Sequence, residues 1–220
     1  MFLGWNLIAS ERAPFRRDAE GDETWLLALL GSPSYGGSMP RSVRIYGDPV
    51  LREKAQPVTQ FDDDLRRLAA EMIETMHAEE GVGLAAQQIG ETQAIFVLDV
   101  PETSDRDAEG RRLNPEVAMP LVVVNPHIVS ASRRKEAREE GCLSFPEIVA
   151  SIERSAEITL RWQDLSGSVS EIRLRGLVAR AAQHELDHLH GVLLTDRMSP
   201  VKRIALRGRL QRLRQAQAKA

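Results

Sequence analysis

The sequence predicts an α+β fold: a single domain with antiparallel or mixed β-sheets around a central helix that carries a metal-ligand motif, plus a basic C-terminal helix. Three observations carry this. Short β-rich runs come before a late helix instead of alternating with helices. Within that late helix, His184-Glu185-Leu186-Asp187-His188 reads H-E-x-x-H, so two imidazoles share one helix face. Residues 197–220 hold eight Lys/Arg and no Asp/Glu.

At 220 residues, 42% hydrophobic and 28% charged, the chain fits one soluble globular domain of ordinary size. Its net charge of −3 argues against a generic nucleic-acid binder. A single cysteine excludes an internal disulfide and fits a reducing compartment, the cytoplasm. No apolar run approaches the roughly 20 residues a membrane span needs.

Residues 1–38 mix Arg16-Arg17 with acidic residues, then a short apolar run, Trp25 to Leu30, and a Gly/Ser/Pro-rich stretch. Either they form a disordered extension, or Met39 is the natural start. Acidic residues before the apolar run speak against a signal or transit peptide.

From Met39 the chain reads as a catalytic domain over residues 39–200. Residues 43–46 are strand-like, and Gly47-Asp48-Pro49 is a turn. Asp62-Asp63-Asp64 opens a helix, because carboxylates satisfy free N–H groups there. Leu65, Leu68, Ala69, Met72, Ile73 and Met76 give it one buried stripe, and Gly81 stands as its C′ glycine. Residues 94–100 and 121–124 read as strands, with 101–119 a polar surface loop between them. Residues 157–162 and 169–174 alternate around Asp164-Leu165-Ser166-Gly167 and predict a hairpin. Residues 177–190 form the helix, ended by Gly191. Residues 201–220 form the basic helix, with Ile204, Leu206, Leu210 and Leu213 as a partial apolar stripe. No internal repeat is present.

Two imidazoles make a metal pair but not a site. Cys142 is the candidate third ligand, and a fourth, open position for water marks a catalytic rather than a structural metal. The blander readings are a lone cysteine that is a small buried hydrophobe and histidines that are merely packed. Glu185 lies about 100° round the helix from His184, placed to exchange protons with water at the open position. Asp187 and Gln183 are candidate partners for the ligand rings or their neighbours. His77, His127 and His190 lie outside any usable spacing. Gly81-Val82-Gly83-Leu84-Ala85-Ala86-Gln87-Gln88-Ile89-Gly90 lacks the third glycine and preceding strand of a phosphate loop. Its small residues instead let backbone line a narrow cleft, where a glutamine amide can donate to an oxyanion.

Together, Gly81–Gly90 (G-x-G-L-A-A-x-Q-x-G), Glu140–Ser144 (E-G-C-L-S) and Gln183–His188 (Q-H-E-x-D-H) resemble the peptide deformylase family, in order and spacing, from about Met39 to the C-terminus. The resemblance implies metal-dependent hydrolysis of the N-formyl group from the formyl-methionine of new polypeptides, with release of formate. It implies Cys142, His184 and His188 as ligands of one divalent ion, Fe²⁺ first, with Ni²⁺, Co²⁺ or Zn²⁺ as alternatives. It further implies metal-bound hydroxide as nucleophile, Glu185 as general base and acid, and Gln88 with the Leu143 N–H on the oxyanion. Gly83 would pair its backbone with the peptide, and Val82, Leu177 and Ala181 would flank the methionine pocket. One departure stands out: Val149 occupies a position where many members are basic.

The competing readings are an ordinary H-E-x-x-H metallopeptidase and a catalytically silent ribosome-associated binding module. The cysteine ligand argues against the first, and intact Glu185 and Gln88 against the second. The expected partners are formyl-methionyl nascent peptides and, through the basic helix, the ribosome surface. A membrane or a specific nucleic-acid sequence is not expected, and the protein is read as a monomer.

Overall fold

The computed structural model describes residues 40–218; the reading of residues 1–38 as an extension falls outside them. Helix α1 (Asp63–Ala78) begins where its sequence says it should. Asp62 caps it by accepting from Leu65 N at 3.1 Å, and Asp63 and Asp64 occupy the first turn. The whole expected stripe, Leu65 to Met76, is buried.

The C-terminal end of α1 departs from expectation. Glu80, at φ 55°, takes the left-handed position, and Gly81 stands one residue later. The N–H groups of Glu80 and Gly81 return to the His77 and Met76 carbonyls, the paired bonds of a Schellman end. A Cβ at Gly81 would lie 2.9 Å from Leu143 Cδ1, so the Leu143 side chain would have to shift.

An antiparallel five-stranded sheet has the order β1 (Gly83–Ala85), β2 (Ile95–Leu98), β3 (Leu121–Ala131), β6 (Glu157–Gln163), β7 (Val169–Arg175). A separate ribbon pairs β4 (Lys135–Glu140) with β5 (Ala150–Ser155). The sheet is covered on both faces. Ile95 and Val97 pack with α1, while Phe96 and Leu98 pack with α2 (Gly176–Leu189) through Val178, Ala181, Ala182 and Leu186. A strand buried on both sides reads as a continuous apolar run, as β2 does. β1 ends the sheet, so one of its edges has no strand partner among the described residues.

Residues 43–46 form no strand. They make isolated backbone bonds instead, Arg44 N to Gln88 O at 2.7 Å and Tyr46 N to Ser144 O at 2.8 Å. The 101–119 segment is not purely a surface loop. Asp105 and Asn114 are buried and bonded to each other, and the Asn114 side chain also bonds the Arg175 backbone.

The basic C-terminal stretch is broken into α3 (Leu194–Arg197), α4 (Pro200–Ala205) and α5 (Arg207–Gln217). Met198 is extended, Pro200 restarts the helix under a Ser199 cap, and Leu206 interrupts it again. Leu206, Leu210 and Leu213 pack against Leu51, Tyr46 and Phe145, but Ile204 is 72% exposed and leaves the expected stripe. No described helix is long and apolar enough to cross a membrane.

Candidate active site

The last two turns of α2 present His184 and His188 side by side, their ring centroids 5.1 Å apart. The turn after β4 brings Cys142 against them, with Sγ 3.3 Å from His188 Nε2. One donor atom from each of the three lies within 4.8 Å of the others. Metal–ligand bonds of about 2.0–2.3 Å in a tetrahedron put donors roughly 3.3–3.8 Å apart, so modest closure makes three corners of one. A soft thiolate with two imidazoles suits borderline divalent ions, and the set fits such a metal.

Glu140, two residues before Cys142, orders the site electrostatically. Its fully buried carboxylate accepts from Arg154 Nε at 2.7 Å and Nη2 at 2.9 Å, and from Arg180 Nη1 at 2.6 Å. It also pairs with His184 Nδ1 at 3.0 Å, which turns the other ring nitrogen toward the triad. Burial alone would raise the Glu140 pKa, but the bonds from His184 and Arg154 outweigh it and hold the group at about 2.

The two imidazoles are pulled apart. Burial would lower His184, but its bonds to Cys142 and Glu140 carry it above the ordinary value, while burial and the charge of His184 push His188 well below. One positive charge is thus favoured beside the thiol, a place a divalent cation can take over. Arg154 also reaches Asp187 Oδ2 at 2.7 Å, and Arg197 grips the same carboxylate at 2.5 and 3.0 Å. Asp187 therefore holds the arginine that holds Glu140. Gln183 is likewise directed away, onto the Ser155 backbone.

Glu185 is 1% exposed and lies against Gly83, where a Cβ would come within 2.4 Å of Oε1. Its Oε2 is buried without a hydrogen-bond partner among the described residues. Burial, the largest influence, raises its pKa to about 7. A carboxyl that titrates near neutrality can both take and return a proton.

Gln88 is oriented by Ala85 N, which donates to Oε1 at 2.8 Å. The Gln88 amide nitrogen thereby faces Cys142 Sγ at 3.6 Å and Ser144 Oγ at 3.4 Å. Val82, Gly83, Gln88, Cys142, Leu143, His184 and Glu185 all line one cleft. Leu177 and Ala181 do not; they belong to the apolar cluster that also contains Val82. Val149 is half-buried and also outside the cleft wall. His77 has a partner, Asp99, at 2.7 Å. Sequence reasoning missed Glu140, Arg154 and Arg180. Glu140 could have been found from its place in the cysteine motif; the arginines carried no signal, since a lone charged residue on a strand (Arg154) or a helix (Arg180) reads as solvated.

The family model for polypeptide deformylase matches residues 40–204. The peptide deformylase of Thermotoga neapolitana is 49% identical over 76% of this chain and 93% of its own length. That of Novosphingobium aromaticivorans is 42% identical over 77% and 94%. Among crystal structures, the Thermotoga maritima peptide deformylase superposes with a TM-score of 0.65 at 45% identity, over 74% of this chain and 99% of that one. The Legionella pneumophila peptide deformylase gives 0.68 at 36% identity, over 83% and 99%. A matched model spanning most of the chain and relatives covered almost end to end place this protein in the polypeptide deformylase family.

Proposed function

We propose that this protein hydrolyses the N-formyl group from the terminal formyl-methionine of new polypeptides, releasing formate. The observation that carries the reading is the convergence of Cys142, His184 and His188 beside a buried Glu185 that titrates near neutrality. The three donors hold one divalent ion, Fe²⁺ on the family resemblance, with Ni²⁺, Co²⁺ and Zn²⁺ compatible with the same ligands. Bound there, the ion supplies a Lewis acid that polarises the formyl carbonyl and acidifies water.

The chain's own groups do the rest. Glu185 takes a proton from the attacking water and returns it to the leaving amine. The Gln88 amide, already turned toward Cys142, donates with the Leu143 N–H to the developing oxyanion. Gly83 lies on the sheet-end strand β1, whose free edge can add an extended peptide by main-chain bonds. Val82, in the cleft wall, contacts the methionine side chain, with Leu177 and Ala181 packed in the same cluster.

We place the catalytic unit at residues 39–200, acting as a monomer in the cytoplasm, as the lone cysteine supports. Helices α4 and α5 dock it electrostatically on the ribosome surface, where the substrate emerges. Glu185→Gln tests the chemistry: metal stays stoichiometric while turnover of formyl-Met-Ala-Ser falls by about 10²–10⁴. Full activity in that variant overturns the mechanism, and equal cleavage of unformylated peptides would point to a peptidase. Cosedimentation with ribosomes at low and high salt, with and without residues after Pro200, tests the docking.

A further inference from the structure

The two imidazoles of the metal centre are held unequally. His184 Nδ1 has the Glu140 carboxylate at 3.0 Å, the usual way a protein fixes the direction of a ligand ring. His188 Nδ1 is buried with no hydrogen-bond partner among the described residues. The direction of that ring therefore depends on the backbone that carries it, the last turn of α2.

Asp187, one residue before His188, is where that turn is tied down. Its backbone carbonyl accepts from His190 N at 3.0 Å and from Val192 N at 2.9 Å. Its carboxylate accepts from Arg154 Nη1 at 2.7 Å and from both arms of Arg197, Nε at 3.0 Å on Oδ2 and Nη2 at 2.5 Å on Oδ1. Arg154 continues inward to Glu140, and Glu140 to His184. Charges of alternating sign thus run from Arg197 to a ligand ring. Arg197 is the outer end, with its side chain 48% exposed against 11% for Asp187.

Arg197 is not what anchors its own segment. Leu193, Leu194 and Met198 are buried around it, while Asp196 accepts from Leu193 N and pairs with Arg52. A half-exposed ion pair adds little to stability, but a two-armed fork fixes geometry as well as charge. We infer that Arg197 is a positioning residue for the metal centre: its fork on Asp187 sets the last turn of α2, and so the aim of His188, and steadies the Arg154–Glu140 link to His184. The inference rests on the metal centre proposed above.

Charge and geometry act here in opposite directions. Removing a cation near a divalent ion favours metal binding by itself, weakly at an exposed position in salt. Losing the fork frees the turn and weakens binding. A lysine keeps the charge but cannot make the two parallel bonds, so it separates the two effects.

The test loads the full chain with Co²⁺, whose visible absorption reports the arrangement of its ligands, and measures affinity by chelator competition. Direct partners of ligand rings are worth about 10–100-fold in metal affinity. One step further out, Arg197→Lys and Arg197→Met each weaken Co²⁺ binding about three- to tenfold and alter the visible bands. Arg52→Met, which unties the neighbouring ion pair of the same segment, changes affinity by less than about twofold. Equal losses in the Arg52 and Arg197 variants overturn the inference, because general loosening of the segment then explains both. Parental affinity in Arg197→Lys with unchanged or tighter binding in Arg197→Met also overturns it, because charge alone then acts. Either result leaves the metal centre standing. A parent protein that takes up no Co²⁺ overturns the metal centre and this inference together.

Discussion

Gly83→Ala is the most direct probe of how Glu185 is held. The added Cβ would stand 2.4 Å from Glu185 Oε1, 3.0 Å from Cδ and 3.1 Å from Cγ. Ordinary contact is near 3.4 Å, so the carboxylate must withdraw by about 1 Å. A displacement of that size in a proton-transferring group lowers the rate on the order of 10²-fold, about 2.7 kcal/mol of transition-state stabilisation. The backbone of residue 83 is unchanged, so its proposed pairing with the peptide is kept. The loss should therefore fall in kcat, with KM for formyl-Met-Ala-Ser within about threefold. Metal content should stay stoichiometric, since the atoms nearest the new methyl group all belong to Glu185. Steady-state kinetics, metal analysis and a thermal melt on one preparation give the answer. A kcat within threefold of the parent, in a folded and fully loaded protein, would refute the idea that Gly83 positions Glu185.

Cys142→Ser replaces a thiolate with a neutral hydroxyl, so metal retention and activity should fall together on dialysis; stoichiometric metal at unchanged affinity would show that Cys142 is not a ligand. Arg154→Met removes the cation shared by Glu140 and Asp187, leaving Arg180 and His184 on the one and Arg197 on the other, and should cost on the order of 3 kcal/mol in urea unfolding, whereas a loss under 1 kcal/mol would mean the remaining partners suffice. Because the folded pKa of Glu140 is depressed to about 2, its contribution is complete above the ordinary carboxylate range and disappears as pH falls from about 4.5 to 2, on the order of 3 kcal/mol. Unfolding midpoints of the parent and Glu140→Gln should thus converge across that window, and parallel curves would sink the assignment. Deleting residues 1–38 should leave both the melt and deformylation nearly unchanged; a large drop in thermal midpoint would mean that the segment packs on the domain.

What the sequence disclosed and what it hid divide along one physical line. Local periodicity exposed α1, α2 and the β6–β7 hairpin, because each repeats its apolar spacing within one segment. The H-E-x-x-H spacing put His184 and His188 side by side on one helix face, because short-range spacing dictates which side chains share a face, whereas nothing in local spacing fixes where Cys142 lies. The β4–β5 ribbon was invisible. Lys135–Glu140 is nearly all charged, and the third inward position of Ala150–Ser155 is Arg154 where a strand pattern wants an apolar residue. That arginine is buried only because Glu140 and Asp187 neutralise it, a condition set by contacts 14 and 33 residues away. The break at Leu206 was hidden for a similar reason: packing of Leu206 and Leu210 on Phe145 and Leu51, not helix propensity, decides where α4 stops and α5 starts.

The end of the sheet at β1 has a consequence for the protein's life in a crowded solution. An unpaired strand edge is a template, and long apolar ones recruit other chains into aggregates. This one is three residues long and begins with a glycine. At about 3.3 Å per residue it is roughly 10 Å long, all three of its residues are buried, and it is too short to seed a growing ladder. The opposite edge, β7, is twice as long and is studded with Glu171, Arg173 and Arg175, charges that repel a stacking neighbour. The short edge is protected by its length and burial, and the long one by its charges.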